Sequence, residues 1–99
     1  MVKMKVVWDE YARTSLKEAY YYIRKDSLQQ AERVKKEILI STKQLADHPY
    51  IFPADKYRKD KDARFRAFEK YSYRISYFIG EDTIRILRFR HVKQEPKEY

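Results

Sequence analysis

The sequence predicts an α+β domain in the order β-α-α-β-β-β, with a helical hairpin packed on a twisted, mainly antiparallel four-stranded sheet. Three observations predict it. Apolar residues alternate near the N-terminus, recur at helical spacing over two successive segments, and then fill three runs rich in Ile, Phe and Tyr in the last third. At 99 residues the chain has length for one core, so residues 1–99 are read as a single domain.

Val2, Met4, Val6 and Trp8 alternate with Lys3, Lys5 and Val7, the period of a half-buried strand. Asp9 is a candidate N-cap for a helix whose Ala12, Leu16, Ala19, Tyr20 and Ile23 lie on one stripe. Asp26 and Ser27 break that pattern. Ser27 caps a second helix, with Leu28, Ala31, Val34, Ile38 and Leu45 on its apolar face, which the spacing carries to Asp47. So short a join makes the two helices an antiparallel pair. Pro49 and Pro53 end the second one, since each withdraws an amide donor and restricts the residue before it. Residues 54–63 are charged, hold no large aliphatic side chain and read as a solvated loop, with aspartates and bases nearly alternating from Lys56 to Lys61. Strands follow at Arg64–Lys70, Tyr73–Ile79 and Thr83–Arg90. Tyr71-Ser72 is a tight turn by position, and Gly80-Glu81-Asp82 is another, its glycine available for a positive φ.

A helical hairpin cannot bury its stripe alone, so it covers one face of the sheet. Tyr73, Ile75, Tyr77 and Ile79 point one way, and Arg74, Ser76 and Phe78 the other. Strict alternation in the last strand puts Ile84 and Ile86 on one side with Arg88 and Arg90, opposite Arg85, Leu87 and Phe89. This mixture implies a strongly twisted sheet whose uncovered face ends in a concave site lined by Arg, Lys and Tyr.

The charge is +8, with ten basic and eight acidic side chains in residues 1–55 against thirteen and seven in residues 56–99. Such an asymmetry fits a nucleic-acid partner, and an acidic protein would use the same field. Arg grips phosphate while Tyr offers a flat face to bases. Arg66, Arg74, Arg88 and Arg90 are the candidate target contacts, and Arg74, between two strand tyrosines, is the foremost phosphate contact.

Other classes are excluded. There is no cysteine for a disulfide or a thiolate metal site, and His48 has no second ligand at metal-binding spacing, so neither metal nor cofactor is expected. A single glycine rules out a glycine-rich nucleotide cradle, and no serine sits in a nucleophile elbow. MVKMKVVWDE lacks the apolar run of a signal peptide and no stretch approaches membrane-spanning length, which makes a cytoplasmic protein without a membrane partner the expectation. Tyr20, Tyr21 and Tyr22 point about 100° apart on a helix, so they form no stacking platform, and at least one belongs in the core.

Phe52-Pro53, the RxF of Arg66 to Phe68, the YRISY of Tyr73 to Tyr77, the IRIL of Ile84 to Leu87 and the RHVKQEP over residues 90–96 follow a strand and a helical hairpin in this order. Together they resemble the RelE/ParE superfamily of bacterial toxins over nearly the whole chain. The resemblance implies the toxin half of a type II toxin–antitoxin pair. It also implies a cognate acidic antitoxin as partner, with a homodimer or a toxin–antitoxin heterotetramer as the assemblies to look for. RelE-like members cut mRNA in the ribosome; ParE-like members poison DNA gyrase. Metal-free RNA cleavage needs an acceptor for the 2′-hydroxyl proton, cations for the phosphorane charge and an acid for the departing oxygen. Under that reading, and only then, the chain is an enzyme, with Arg74, His91, Lys93 and Tyr99 as its catalytic set and His91 as base or acid. The strand arginine that RelE-like members place before the YR motif falls here on Glu69, whose charge would repel the phosphate. The tail from His91 to Pro96 instead resembles the His-x-x-x-x-Pro of ParE-like members and favours gyrase poisoning, which needs a trapping surface rather than side-chain chemistry. A member that has lost toxicity and only binds its antitoxin is the third reading.

Overall fold

Hydrophobic period decides where the six elements fall. The computed structural model of the protein describes residues 4–94, so Val2 and Lys3 of the expected first strand lie outside it. Strand β1 spans Lys5–Trp8, helices α1 and α2 span Glu10–Arg24 and Leu28–Gln44, and strands β2, β3 and β4 span Phe65–Lys70, Tyr73–Ile79 and Thr83–His91. The sheet order is β1-β4-β3-β2. Two tight turns make the β2-β3-β4 meander antiparallel, and β1 docks parallel to β4 at the far edge. No helix among the described residues is long and apolar enough to cross a membrane.

Ser27 Oγ accepts the amide of Gln30 at 3.1 Å, the cap that starts α2 after a two-residue break. Asp9 occupies the N-cap position of α1, but its carboxylate makes no cap and pairs with Arg85 across to β4. Ala12, Leu16, Ala31, Val34, Ile38 and Leu45 are buried. Leu28 is not: helical side chains lean toward the N-terminus, so the first residue of α2 projects past the helix end and stays 52% exposed. Nor does any of the three consecutive tyrosines enter the core. Tyr21 and Tyr22 are exposed, and Tyr20 is half-buried with its hydroxyl donating to Glu32, a bond that raises the phenol pKa.

On the helix-covered face, Tyr73, Ile75, Tyr77 and Ile79 of β3 are all buried, as alternation requires. Strand β4 departs from alternation. Tyr77 lies opposite Ile86 but Ser76 lies opposite Arg88, so Leu87 is the extra residue of a β-bulge. Ile84, Ile86 and Phe89 therefore face the helices, and Arg88 and Arg90 face away from them, which corrects the pairing of Ile86 with Arg88 that strict alternation gives.

Both turns correct or extend the sequence reading. Tyr71 and Ser72 carry the positive φ values, 53° and 68°, of a two-residue turn whose twist matches the strands it joins. No described glycine has one. Gly80 is needed for space, because its amide donates to Thr83 O at 2.8 Å and an added Cβ would sit 3.1 Å from that oxygen. Left-handed backbone is costly for serine, so Ser72→Gly is expected to stabilise the fold by about 1 kcal/mol, read as a higher urea midpoint.

Tyr77 is inaccessible to solvent and donates its hydroxyl to Pro49 O at 2.8 Å, tying β3 to the segment after α2. Burial pushes this phenol up to about 12, from the ordinary 10.0. The folded state therefore holds the proton more tightly than the unfolded chain. Its stabilisation is complete below about pH 10 and is lost as pH rises through about 12, a change on the order of 2 kcal/mol. Urea unfolding across that range should fall more steeply for the wild type than for Tyr77→Phe.

Candidate functional site

The sheet face away from the helices carries Glu69 of β2, Arg74, Ser76 and Phe78 of β3, and Arg85, Arg88 and Arg90 of β4. It is not open. Residues 53–55 pair along the outer edge of β2: Asp55 N donates to Phe65 O at 2.7 Å and Ala67 N to Pro53 O at 3.3 Å. The following residues fold over the face. Arg58 lies 3.6 Å above the Phe65 ring and Arg64 5.2 Å from Phe78, on two rings 4.7 Å apart. Arg58 also pairs with Asp60, and Arg64 with Asp62, whose carboxyl Arg64 holds down to about 2. Residues 54–63 are thus a cover rather than the solvated loop expected from their composition; aromatic rings and arginine stems do the packing that aliphatic side chains were expected to do.

At the centre is a buried charge cluster. The Asp55 carboxylate has no solvent-exposed surface, and its Oδ1 accepts from Arg74 Nη2 and from the Tyr57 amide, each at 3.0 Å. Arg74 Nη1 pairs with the exposed Glu69 at 3.3 Å. The Tyr57 ring lies over both guanidinium groups, 4.8 Å from Arg74 and 5.4 Å from Arg90.

Arg74, expected to point outward, is only 8% exposed. Arg90 is its direct neighbour on β4 and Arg88 lies opposite Ser76, so these three of the four target contacts do share one face. Arg66 does not. It lies opposite Tyr77 on the helix side, donating to Ala63 O at 2.6 Å and Phe52 O at 2.9 Å, with Tyr50 stacked 4.8 Å away. Tyr73 and Tyr77 lie under the helices, on the side opposite Arg74 as alternation predicts, and the ring that serves the arginines is Tyr57.

His91 lies opposite Tyr73 and meets its ring edge-on at 5.2 Å, on the helix side. Its Nδ1 accepts the Lys93 amide at 3.0 Å, so a neutral ring carries its proton on Nε2. Lys93 is exposed, and Tyr99 lies outside the described residues. The ribonuclease set therefore divides, with Arg74 and His91 on opposite faces. Sequence reasoning missed Asp55 and Tyr57; the available signal was one acid two residues after Pro53, where the chain runs along the edge of β2. A second feature lies on the helical hairpin, a groove of about 440 Å³ lined by Arg13, Leu16, Lys17, Tyr20, Tyr21, Arg24 and Lys35.

Residues 6–96 match the family described as the ParE toxin of the type II toxin–antitoxin system, parDE. The chain belongs to the ParE toxin family. Among solved structures, a chain of the chromosomal ParDE toxin–antitoxin system from P. aeruginosa is similar, with a TM-score of 0.69 and 18% identity over 90% of this chain and 96% of that one. A chain of the RelBE2 toxin–antitoxin complex from Mycobacterium tuberculosis is similar at a TM-score of 0.59 and 22% identity, over 92% and 93%. Both likenesses are of fold. No curated protein matches. In this ParE-family chain, the hairpin-on-sheet architecture is shared with such neighbours.

Proposed function

We propose that this chain is the toxin of a type II toxin–antitoxin pair, that it arrests growth by trapping DNA gyrase, and that an acidic antitoxin neutralises it in the cytoplasm. The observation that carries the choice of target is the separation of Arg74 from His91 by the thickness of the sheet, with the Arg74 charge already taken up by Asp55 and Glu69. Cutting RNA without a metal requires such groups within hydrogen-bond reach of one phosphodiester. Holding an enzyme–DNA intermediate requires only a surface. For the antitoxin, the groove between α1 and α2 places Arg13, Lys17, Arg24 and Lys35 around two tyrosines, which suits a helix with one acidic and one apolar side.

Inducing the chain in growing bacteria is expected to stop division with a DNA-damage response and intact transcripts, and co-expressing the adjacent gene is expected to restore growth. Transcripts cut at codons would establish the ribonuclease reading instead, and normal growth despite antitoxin binding would establish the non-toxic one. Lys17→Glu combined with Lys35→Glu should weaken antitoxin binding about tenfold, measured by calorimetry, because each reversal sets like charges against an acidic partner.

A further inference from the structure

We propose that residues 54–63 act as an internal ligand that keeps a single-stranded nucleic-acid site on Arg74, Arg88 and Arg90 closed. Asp55 stands where a phosphate would stand, one carboxylate oxygen 3.0 Å from Arg74 Nη2. Tyr57 stands where a base would, its ring against the guanidinium groups of Arg74 and Arg90. Guanidinium planes and aromatic faces stack on bases by the same forces that hold Tyr57 here.

The present occupant fits imperfectly, and the misfit indicates a better one. Nε of Arg74 is buried and makes no hydrogen bond among the described residues. A guanidinium presents Nε and Nη2 as a fork for two oxygens of one anion. Asp55 Oδ1 meets Nη2 and also accepts the Tyr57 amide, and Glu69 takes Nη1, which leaves Nε over. A phosphodiester has two terminal oxygens at the right separation for the idle Nε and its neighbour. Exchange of carboxylate for phosphate would leave Arg74 paired throughout, so opening strands no buried charge. Arg90 and Arg88 follow along β4 on the same face, giving a strand two more cations. A single strand is the fitting class because only an unstacked base can replace Tyr57. The inference holds whichever target the toxin has, and its test does not use toxicity.

The test titrates a fluorescein-labelled thymidine oligonucleotide of about 12 nucleotides into the full-length protein, reading anisotropy and amide hydrogen exchange. Bound oligonucleotide is expected to speed exchange at the Asp55 and Tyr57 amides, which the closed loop holds to Phe65 O and to the Asp55 carboxylate. Tyr57→Ala, which removes the stacked occupant and leaves the buried ion pair in place, is expected to bind about tenfold more tightly than wild type, and adding Arg90→Gln should cancel the gain. Tyr57 and Arg90 are both only half-buried, so the variants are expected to fold, which a thermal melt of each checks. Unchanged exchange at those two amides, or Tyr57→Ala binding no tighter than wild type, overturns the proposal.

Discussion

Asp55→Ala is expected to lower the unfolding free energy by about 3 kcal/mol. The carboxylate has no contact with solvent, and its removal leaves the buried Arg74 guanidinium with Glu69 as its one acidic partner among the described residues, at 3.3 Å and more than half exposed. The same change frees the Tyr57 amide and so loosens the cover over the face. Breaking one side of a buried ion pair costs far more than removing both charges, because the surviving ion must be solvated or stay unpaired. Asp55→Leu with Arg74→Met should therefore recover most of the loss, and the two urea midpoints together test the argument. The Asp9–Arg85 pair is the contrast. Its side chains are 33% and 51% exposed, so Asp9→Ala should cost under about 1 kcal/mol, and high salt should screen most of that loss away. A small, salt-sensitive loss at Asp55 would mean that residues 54–63 do not lie on the sheet in solution.

That cluster also marks where the sequence stops being readable. Ala12, Leu16, Ala31, Val34 and Ile38 announce the hairpin because helical spacing is a local property, and Tyr73 to Ile79 announce a strand for the same reason. Nothing local tells Arg74 from an arginine in water. Its burial depends on Asp55, which reaches it only because Pro53 and Ala54 pair with the edge of β2. Charge alternation from Lys56 to Lys61 looks the same whether the segment is solvated or folded onto rings, since arginine stems can do either. The division of the catalytic candidates was hidden for a related reason: Arg74 and His91 are neighbours in register, one position apart, and a single position is enough to change faces. The resemblance to the toxin superfamily, by contrast, rested on the order of short motifs, and burial does not alter order.

Phe89→Ala should cost about 3–5 kcal/mol, the expected price of an aromatic cavity in a core that cannot collapse around it. Phe89 is 3% exposed, its ring stacked 4.7 Å from Tyr73 and tilted 6.3 Å from Trp8. It thus joins three strands, since Trp8 belongs to β1 and Tyr73 to β3, and its position exists only because of the bulge. Were Leu87 a regular strand residue rather than a bulge, alternation from the buried Ile86 would turn Phe89 toward the arginine face and Arg88 toward the helices. The ring therefore pins the register that keeps Arg88 and Arg90 away from the core. Two consequences separate this role from simple packing. Phe89→Leu, which refills much of the volume, should recover most of the stability. In Phe89→Ala, amide exchange should rise at Arg88 and Arg90 beyond what the global loss predicts, because the bulge has lost the side chain that fixes it. Uniform acceleration across β3 and β4, matching the global loss alone, would show that the register is held elsewhere and that Phe89 only fills space.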